Sequence, residues 1–368
     1  MKTQFVNSPN NDLDAWLLEG VSRSFALTIP ELPPSLGKTV TNAYLLCRIA
    51  DTIEDEPGLS IPEKRQFFKL LIDAVHRKQP AGRFAAKLSP RLGQQTLPIE
   101  KELIQKTPAV LDTYFSLNAT QQQAIKRCLK IMSAGMLWFQ ENRNPLGLNK
   151  MSDMDQYCYH VAGVVGEMLT DLFCDHSPAT AENHAEMMRL APSFGQGLQM
   201  TNILKDLWDD KRKGACWLPR EVFCRNGFDL RDLSPGHYSP TFGEGLMELI
   251  GVTHRHLRNA LAFTLLIPSS EAGIRKFCLW AIGLAMLTLQ NLKKRPNYGS
   301  GQDVKISRNS VKAVILASNT LLCSNLMLKT AFSLIACGLP LADPIALTPN
   351  PISGHPITAR PLDAECAR

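Results

Sequence analysis

Apolar positions recur at helical spacing along most of this chain. Gln66 to His76, Gln121 to Asn142, His184 to Lys205, Gly245 to Phe263 and Phe277 to Leu292 all repeat hydrophobic residues at steps of three and four. No stretch of alternating apolar and polar residues predicts a strand. Prolines and glycines gather between the periodic segments, as in Pro30 to Gly37 and Pro57 to Pro62. The pattern predicts a single all-α domain over residues 16–340, after a polar N-terminal segment over 1–15. Residues 341–368 are proline-rich and are expected to form a disordered tail. Two uncharged runs, Phe277 to Leu292 and Ala313 to Leu328, are each 16 residues long, below the roughly 18 expected of a membrane span, and read as core helices.

Composition narrows the class. A chain of 368 residues, 45% apolar and 20% charged, can bury a large core. The net charge is +6, but the basic residues are scattered and show no aromatic interleaving, which speaks against nucleic acid and fits an anionic substrate or a membrane surface. Ten cysteines without a CxxC pair predict reduced thiols and a cytoplasmic protein, and Met1 to Asp14 lacks the apolar centre of a signal peptide. His254 and His256 have no second cluster to complete a zinc site and read as packing histidines.

Two acidic clusters about 150 residues apart carry the chemistry: Asp51-Thr-Ile-Glu54-Asp55 and Asp206-Leu-Trp-Asp209-Asp210. In a helix, Asp51 and Asp55 share one face, as do Asp206 and Asp210. Like charges at that spacing repel, and hard divalent cations bridging to phosphate oxygens relieve the repulsion. The first cluster extends a stripe of Tyr44, Arg48, Asp51 and Asp55, with Leu45, Leu46, Ile49, Ala50 and Ile53 available to pack behind it. The second extends a stripe of Gln199, Asn202, Asp206 and Asp210, with Lys205 adjacent. Two such helices facing each other would form a cage for a diphosphate. The matching chemistry is heterolysis of a carbon–oxygen bond, for which prenyl diphosphates are the expected substrates.

Four segments taken together resemble the squalene and phytoene synthase family, the head-to-head condensing enzymes of isoprenoid metabolism. They are Ser22-Arg23-Ser24-Phe25, Tyr44 to Asp55, Tyr157-Cys-Tyr-His160-Val-Ala-Gly163-Val-Val-Gly166, and Gln199 to Asp210. Trp217-Leu-Pro219, Arg275-Lys276-Phe277-Cys278 and Lys305-Ile-Ser-Arg308 make the squalene-forming branch the more similar one. The resemblance implies an isoprenoid-synthase-type helical bundle around a central apolar cavity. It also implies Mg²⁺ and NADPH as cofactors, two farnesyl diphosphates as substrate, a monomer, and a cytoplasmic location with a peripheral membrane contact.

Roles follow from the same resemblance. Asp51, Glu54 and Asp55 would bind Mg²⁺ at one diphosphate, and Asn202, Asp206 and Asp210 at the other. Ser22, Arg23, Arg48 and Gln199 would contact substrate. Arg23, Arg48, Lys205, Lys305 and Arg308 would contact the nucleotide, with Lys293-Lys294-Arg295 nearby. Tyr157 matches the family's proton-abstracting tyrosine; its competing role is a packing aromatic beside the close-contact glycines Gly163 and Gly166. Tyr44 could steady a cation through its ring face. Two positions depart from the family pattern: Ser307 stands where a basic residue is common, and Gly214-Ala215 where Gly-Arg is usual. Gly195-Gln-Gly197 lacks the third glycine and the preceding strand of a dinucleotide-binding loop. The implied reaction forms presqualene diphosphate and reduces it to squalene. The alternatives are a phytoene-type condensation that ends by proton loss, and a non-catalytic family member.

Overall fold

The structure, a computed structural model, describes residues 9–22 and 24–344, with side chains from residue 13 onward. Arg23 and the tail beyond 344 lie outside the described residues, so the expectations placed on them are not addressed. Among the described residues there are seventeen α-helices and no strand, only an isolated bridge between Leu148 and Pro219. The all-α expectation holds. The chain divides into two compact units, each described by itself.

The first unit comprises Met1–Glu141 and Met168–Glu182. Its helices begin with α1 (Pro9–Val21), α2 (Phe25–Thr28), α3 (Pro34–Asp55) and α4 (Ile61–Val75). They continue with α5 (Ala81–Leu88), α6 (Pro98–Gln105), α7 (Thr107–Ser116) and α8 (Ala119–Glu141). Proline occupies the first turn of α3, α4, α6 and α7, where its missing N–H costs no intrahelical bond. Leu45, Leu46, Ile49, Ala50 and Ile53 of α3 are fully buried, and the four large ones each contribute about 1.5–3 kcal/mol. Burying that face leaves Tyr44, Arg48, Asp51 and Asp55 half-buried or exposed along the other.

The end of α3 is fixed by Glu56, which is only 1% exposed. Its carboxylate accepts from the backbone N–H of Gly58 and of Gly93, both at 2.9 Å, and from the Thr96 hydroxyl. Burial alone would raise its pKa; the Thr96 hydroxyl and the two amides outweigh burial and hold the carboxyl below its usual value. A carboxylate whose folded pKa is depressed stabilises the fold fully above its unfolded pKa, and that contribution disappears as pH falls through the folded value. Glu56→Gln should therefore be about 2 kcal/mol less stable than wild type at pH 7, with the gap closing as urea titrations are moved toward pH 3. A gap that stays constant over that range would assign the effect to some other group.

The second unit comprises Asn142–Glu167 and Asn183–Arg368. It opens with α9 (Met151–Cys158) and a single π-helical turn, Tyr159–Gly163, which leads into α10 (Val164–His176). From Met168 on, α10 belongs to the first unit, as does α11 (Pro178–Ala181); the second unit resumes with α12 (His184–Arg212), α13 (Arg220–Arg225), α14 (Pro240–Leu266) and α15 (Ala272–Lys294). The last two are α16 (Arg308–Leu321) and α17 (Asn325–Ile335). The core is the pairing of α12 with α14, and α12 also lies against the π turn. Gly166 and Gly195 permit that second contact. A Cβ on Gly166 would lie 2.1 Å from the Ala191 carbonyl oxygen, and one on Gly195 would lie 2.0 Å from that of Ala162. Gly195 and Gly197 thus serve helix packing, the latter against Leu257 and His256.

The two uncharged runs turn out differently. The apolar run Phe277 to Leu292 is part of the longer α15, which among the described residues is the one helix long and apolar enough to cross a membrane; 61% of its most apolar window is buried in protein, as in a core helix. The run Ala313 to Leu328 is not one core helix. It breaks after Leu321 and restarts at Asn325, where the Ser324 hydroxyl accepts from the Met327 N–H at 3.3 Å, and much of its apolar surface faces solvent. The predicted tail is docked where it begins, since Arg255 donates to the Ala342 carbonyl and the Ala342 N–H to Gly251. Eight described cysteines carry free thiols.

Candidate active site

In the first unit, Ser22, Tyr44, Arg48 and Asp51 come together. The Ser22 hydroxyl accepts from the Phe25 N–H at 3.0 Å and also bonds the Tyr44 hydroxyl, while the Tyr44 ring rests on Phe25 at 5.2 Å. Burial pushes the Tyr44 phenol above its usual pKa. Arg48 lies 3.7 Å from Asp51 and donates to Glu100 of α6; its Nε–H is buried with no acceptor. Burial, reinforced by Asp55 and Glu100 against the opposing pull of Arg48, pushes the Asp51 carboxyl up to about 7. Burial and Asp55 push Glu54 up to about 8.

Burial and mutual repulsion thus make full ionisation of the stripe costly. Asp51 and exposed Asp55 share the expected face. Glu54 is turned into the unit, where Gln140 donates to it at 3.2 Å and the Lys64 ammonium bonds its backbone carbonyl. Glu100 was not foreseen. Leu97-Pro98-Ile99-Glu100 has the form of a helix start, and the Glu100 carboxylate does accept from the Leu97 N–H, but its reach to Arg48 depends on how α6 packs.

In the second unit, the second acidic motif occupies the last turns of α12. Lys205 lies 3.2 Å from the Asp206 carboxylate and donates to Asn202 at 3.5 Å, and Arg212 pairs with Asp209. Burial, with a smaller contribution from Asp209, raises the Asp206 pKa against Lys205. Asp210 and Gln199 are half-buried on the same helix, and Asn202 is exposed. Behind them Trp208 donates through its indole N–H to the Tyr298 carbonyl at 2.6 Å, and the Tyr298 hydroxyl bonds the Leu204 carbonyl. The loop after α15 is thereby drawn onto the motif so closely that a Cβ on Gly301 would lie 2.9 Å from Asp206 Oδ1.

Tyr157 lies in the last turn of α9 with its ring stacked on Trp217, centroids 3.9 Å apart and planes within 6°. This explains the Trp217-Leu-Pro219 motif: Leu218 and Pro219 pair with Leu148, which holds Trp217 in place. A buried polar chain braces the same helix. Asp155 lies 3.4 Å from His256 Nε2, His256 Nδ1 lies 3.1 Å from the Ser193 hydroxyl, and Asn259 donates to that hydroxyl at 3.2 Å. His254 bonds the Pro340 carbonyl, so both histidines are packing residues as expected. Lys305 and Arg308 are exposed at the start of α16, while Lys293 bonds the Gly338 carbonyl and Arg295 the Asp303 carbonyl.

Comparison with known proteins identifies the family. The squalene/phytoene synthase profile matches residues 18–310. The chain belongs to the squalene/phytoene synthase family. Among its relatives, the squalene synthase of Yarrowia lipolytica is 30% identical over 312 residues, covering 82% of this chain and 66% of the relative. Squalene synthase ERG9 of Candida albicans is 31% identical over 320 residues, with 83% and 66% covered. The chain thus spans just under two thirds of the length of these relatives. The solved structure of TcSQS in complex with a ligand superposes with a TM-score of 0.75 at 23% identity, covering 91% of this chain and 94% of that one, which shows a shared fold.

Proposed function

We propose that this squalene/phytoene synthase family member is a squalene synthase, condensing two farnesyl diphosphates head to head and reducing the product with NADPH. The observation that carries the reading is the first acidic stripe: carboxylates held at raised pKa by burial and by one another, beside an arginine with an unused N–H, call for cations and an anionic ligand. The naming of the Yarrowia and Candida relatives as squalene synthases supports the substrate and product. Asp51 and Asp55 of the first unit have the chemistry to hold hard divalent ions, as do Asn202, Asp206 and Asp210 of the second; Glu54, facing Gln140, would have to change rotamer to join the first set. Bound Mg²⁺ supplies Lewis-acid stabilisation of the departing diphosphate.

The chain's own residues do the rest. Arg48 and Lys205 hold phosphate oxygens by charge-assisted hydrogen bonds. Tyr157, fixed by Trp217, stands to accept the proton whose loss closes the cyclopropane of presqualene diphosphate, and the leaving diphosphate is the final proton acceptor because a phenol is a poor base. Lys305 and Arg308, exposed and cationic, are assigned to the nucleotide phosphates. NADPH held there would supply the hydride for the reductive half of the reaction. A monomer in the cytoplasm, touching a membrane that receives the oily product, completes the proposal.

Stereochemically labelled NADPH tests it. Incubation with farnesyl diphosphate and Mg²⁺ should place the label on one central carbon of squalene, with one NADPH oxidised per product. An unlabelled hydrocarbon with an additional central double bond would instead establish the phytoene-type reaction, and Lys305 and Arg308 would lose their assignment.

A further inference from the structure

The second unit carries an apolar, cationic surface that the proposed chemistry does not use. In α17, Met327, Thr330 and Leu334 fall at steps of three and four and form one stripe, with Leu326 alongside. Leu326 is 74% exposed, Leu334 71% and Met327 50%, while Leu328 and Phe332 on the other face are buried. Preceding α17, α16 exposes Leu316 at 69% beside Lys312. Large apolar side chains so exposed at regular helical spacing mark an interaction surface rather than the scattered hydrophobes of an ordinary exterior.

Charge says what covers it. From Ala272 to Ala342 the chain has nine lysines and arginines and one acid, Asp303. This stretch therefore supplies more than the whole net charge of +6, and the rest of the chain is slightly acidic. Asp303 is itself occupied by the N–H groups of Gly299 and Ser300. Lys312 and Lys329 are exposed on α16 and α17. A second copy presenting the same surface would bring like charge against like, whereas a negatively charged bilayer offers both an apolar interior for the leucines and counter-charge for the lysines.

We infer that the outer face of α17, with the adjoining basic side of α16, docks this protein onto membranes containing anionic phospholipid. The inference deepens the proposed membrane contact by naming its surface and lipid, but it does not depend on the reaction. Leu326, Met327 and Leu334 enter the headgroup boundary, and Lys312 and Lys329 stay at the phosphate level, their stems lying along the apolar layer.

Vesicle co-sedimentation of the full chain decides the matter without an activity assay. Wild type should partition at least ~10-fold more strongly onto phosphatidylcholine vesicles containing phosphatidylglycerol than onto phosphatidylcholine alone, with the preference fading at high salt. Leu326→Glu combined with Leu334→Glu should cut partitioning at least ~10-fold with an unchanged thermal melt. Lys312→Glu with Lys329→Glu, which leaves the apolar stripe intact, should remove the lipid-charge preference and guards against misfolding of the first variant. Equal binding by wild type and both variants, or no vesicle binding by wild type, would overturn the inference. So would a concentration-dependent dimer in sedimentation equilibrium that the leucine variant dissolves, since a second copy would then be the occupant.

Discussion

Asp51→Asn and Asp210→Asn should each slow squalene formation at least ~100-fold while leaving helical circular dichroism unchanged. The loss follows from removing a charge that would hold a cation against the departing diphosphate, an effect of several kcal/mol in the transition state. Preservation of the fold follows from the surroundings of Asp51. Its carboxyl is pushed up to about 7 by burial and by Asp55 and Glu100, so a neutral isostere relieves repulsion, and Arg48 retains its bond to Glu100. Asp210 is half-buried near the end of α12, and the change keeps its shape. Steady-state assays at saturating Mg²⁺ measure the effect. Near-normal rates in both variants would remove the basis for the diphosphate assignment.

Arg275→Met should cost on the order of 4 kcal/mol of stability, read from urea unfolding, with little change in turnover at low temperature. Arg275 is only 2% exposed and has carbonyls rather than carboxylates around it. Its guanidinium donates to Ile267 at 2.7 Å, to Leu322 at 2.8 Å and to Asn325 Oδ1 at 2.8 Å. These bonds join the end of α14 and the start of α15 to the break between α16 and α17. Methionine fills most of the volume but leaves two buried carbonyls, and the Asn325 side chain, without their donor, which is the costly half of deleting a charged hydrogen bond. Hydrogen exchange in α16 and α17 should rise before global unfolding. Wild-type protection there would mean that α17 is held chiefly by Leu328 and Phe332.

The helices and the first site were legible in the chain because both depend on local period. Tyr44, Arg48, Asp51 and Asp55 form one stripe, and the five residues expected to pack behind them are fully buried. Glu54 was harder: a DxxED motif places three carboxylates close in sequence, but only the packing of α8 shows that the middle one faces Gln140. Glu100 and Glu56 gave no signal, since each acts on residues far along the chain through helix packing. The break at Leu322 to Ser324 was missed because apolar continuity hides an N-cap serine. Arg275 was noticed as part of a motif, whereas its role as a buried staple depends on carbonyls that no sequence pattern displays.

The π turn at Tyr159–Gly163 makes the aim of the Tyr157 ring a matter of counting. A wide turn holds one residue more than the α-helical spacing, and each residue advances a helix by about 100°. Shortening this segment by a single residue would restore the regular spiral and swing α9 by that angle relative to α10. Tyr157 would leave Trp217 although no side chain in the stack had been altered. Insertions and deletions here should therefore be far more damaging than substitutions, and two family members with the same site residues but different length in this turn would not be equivalent enzymes.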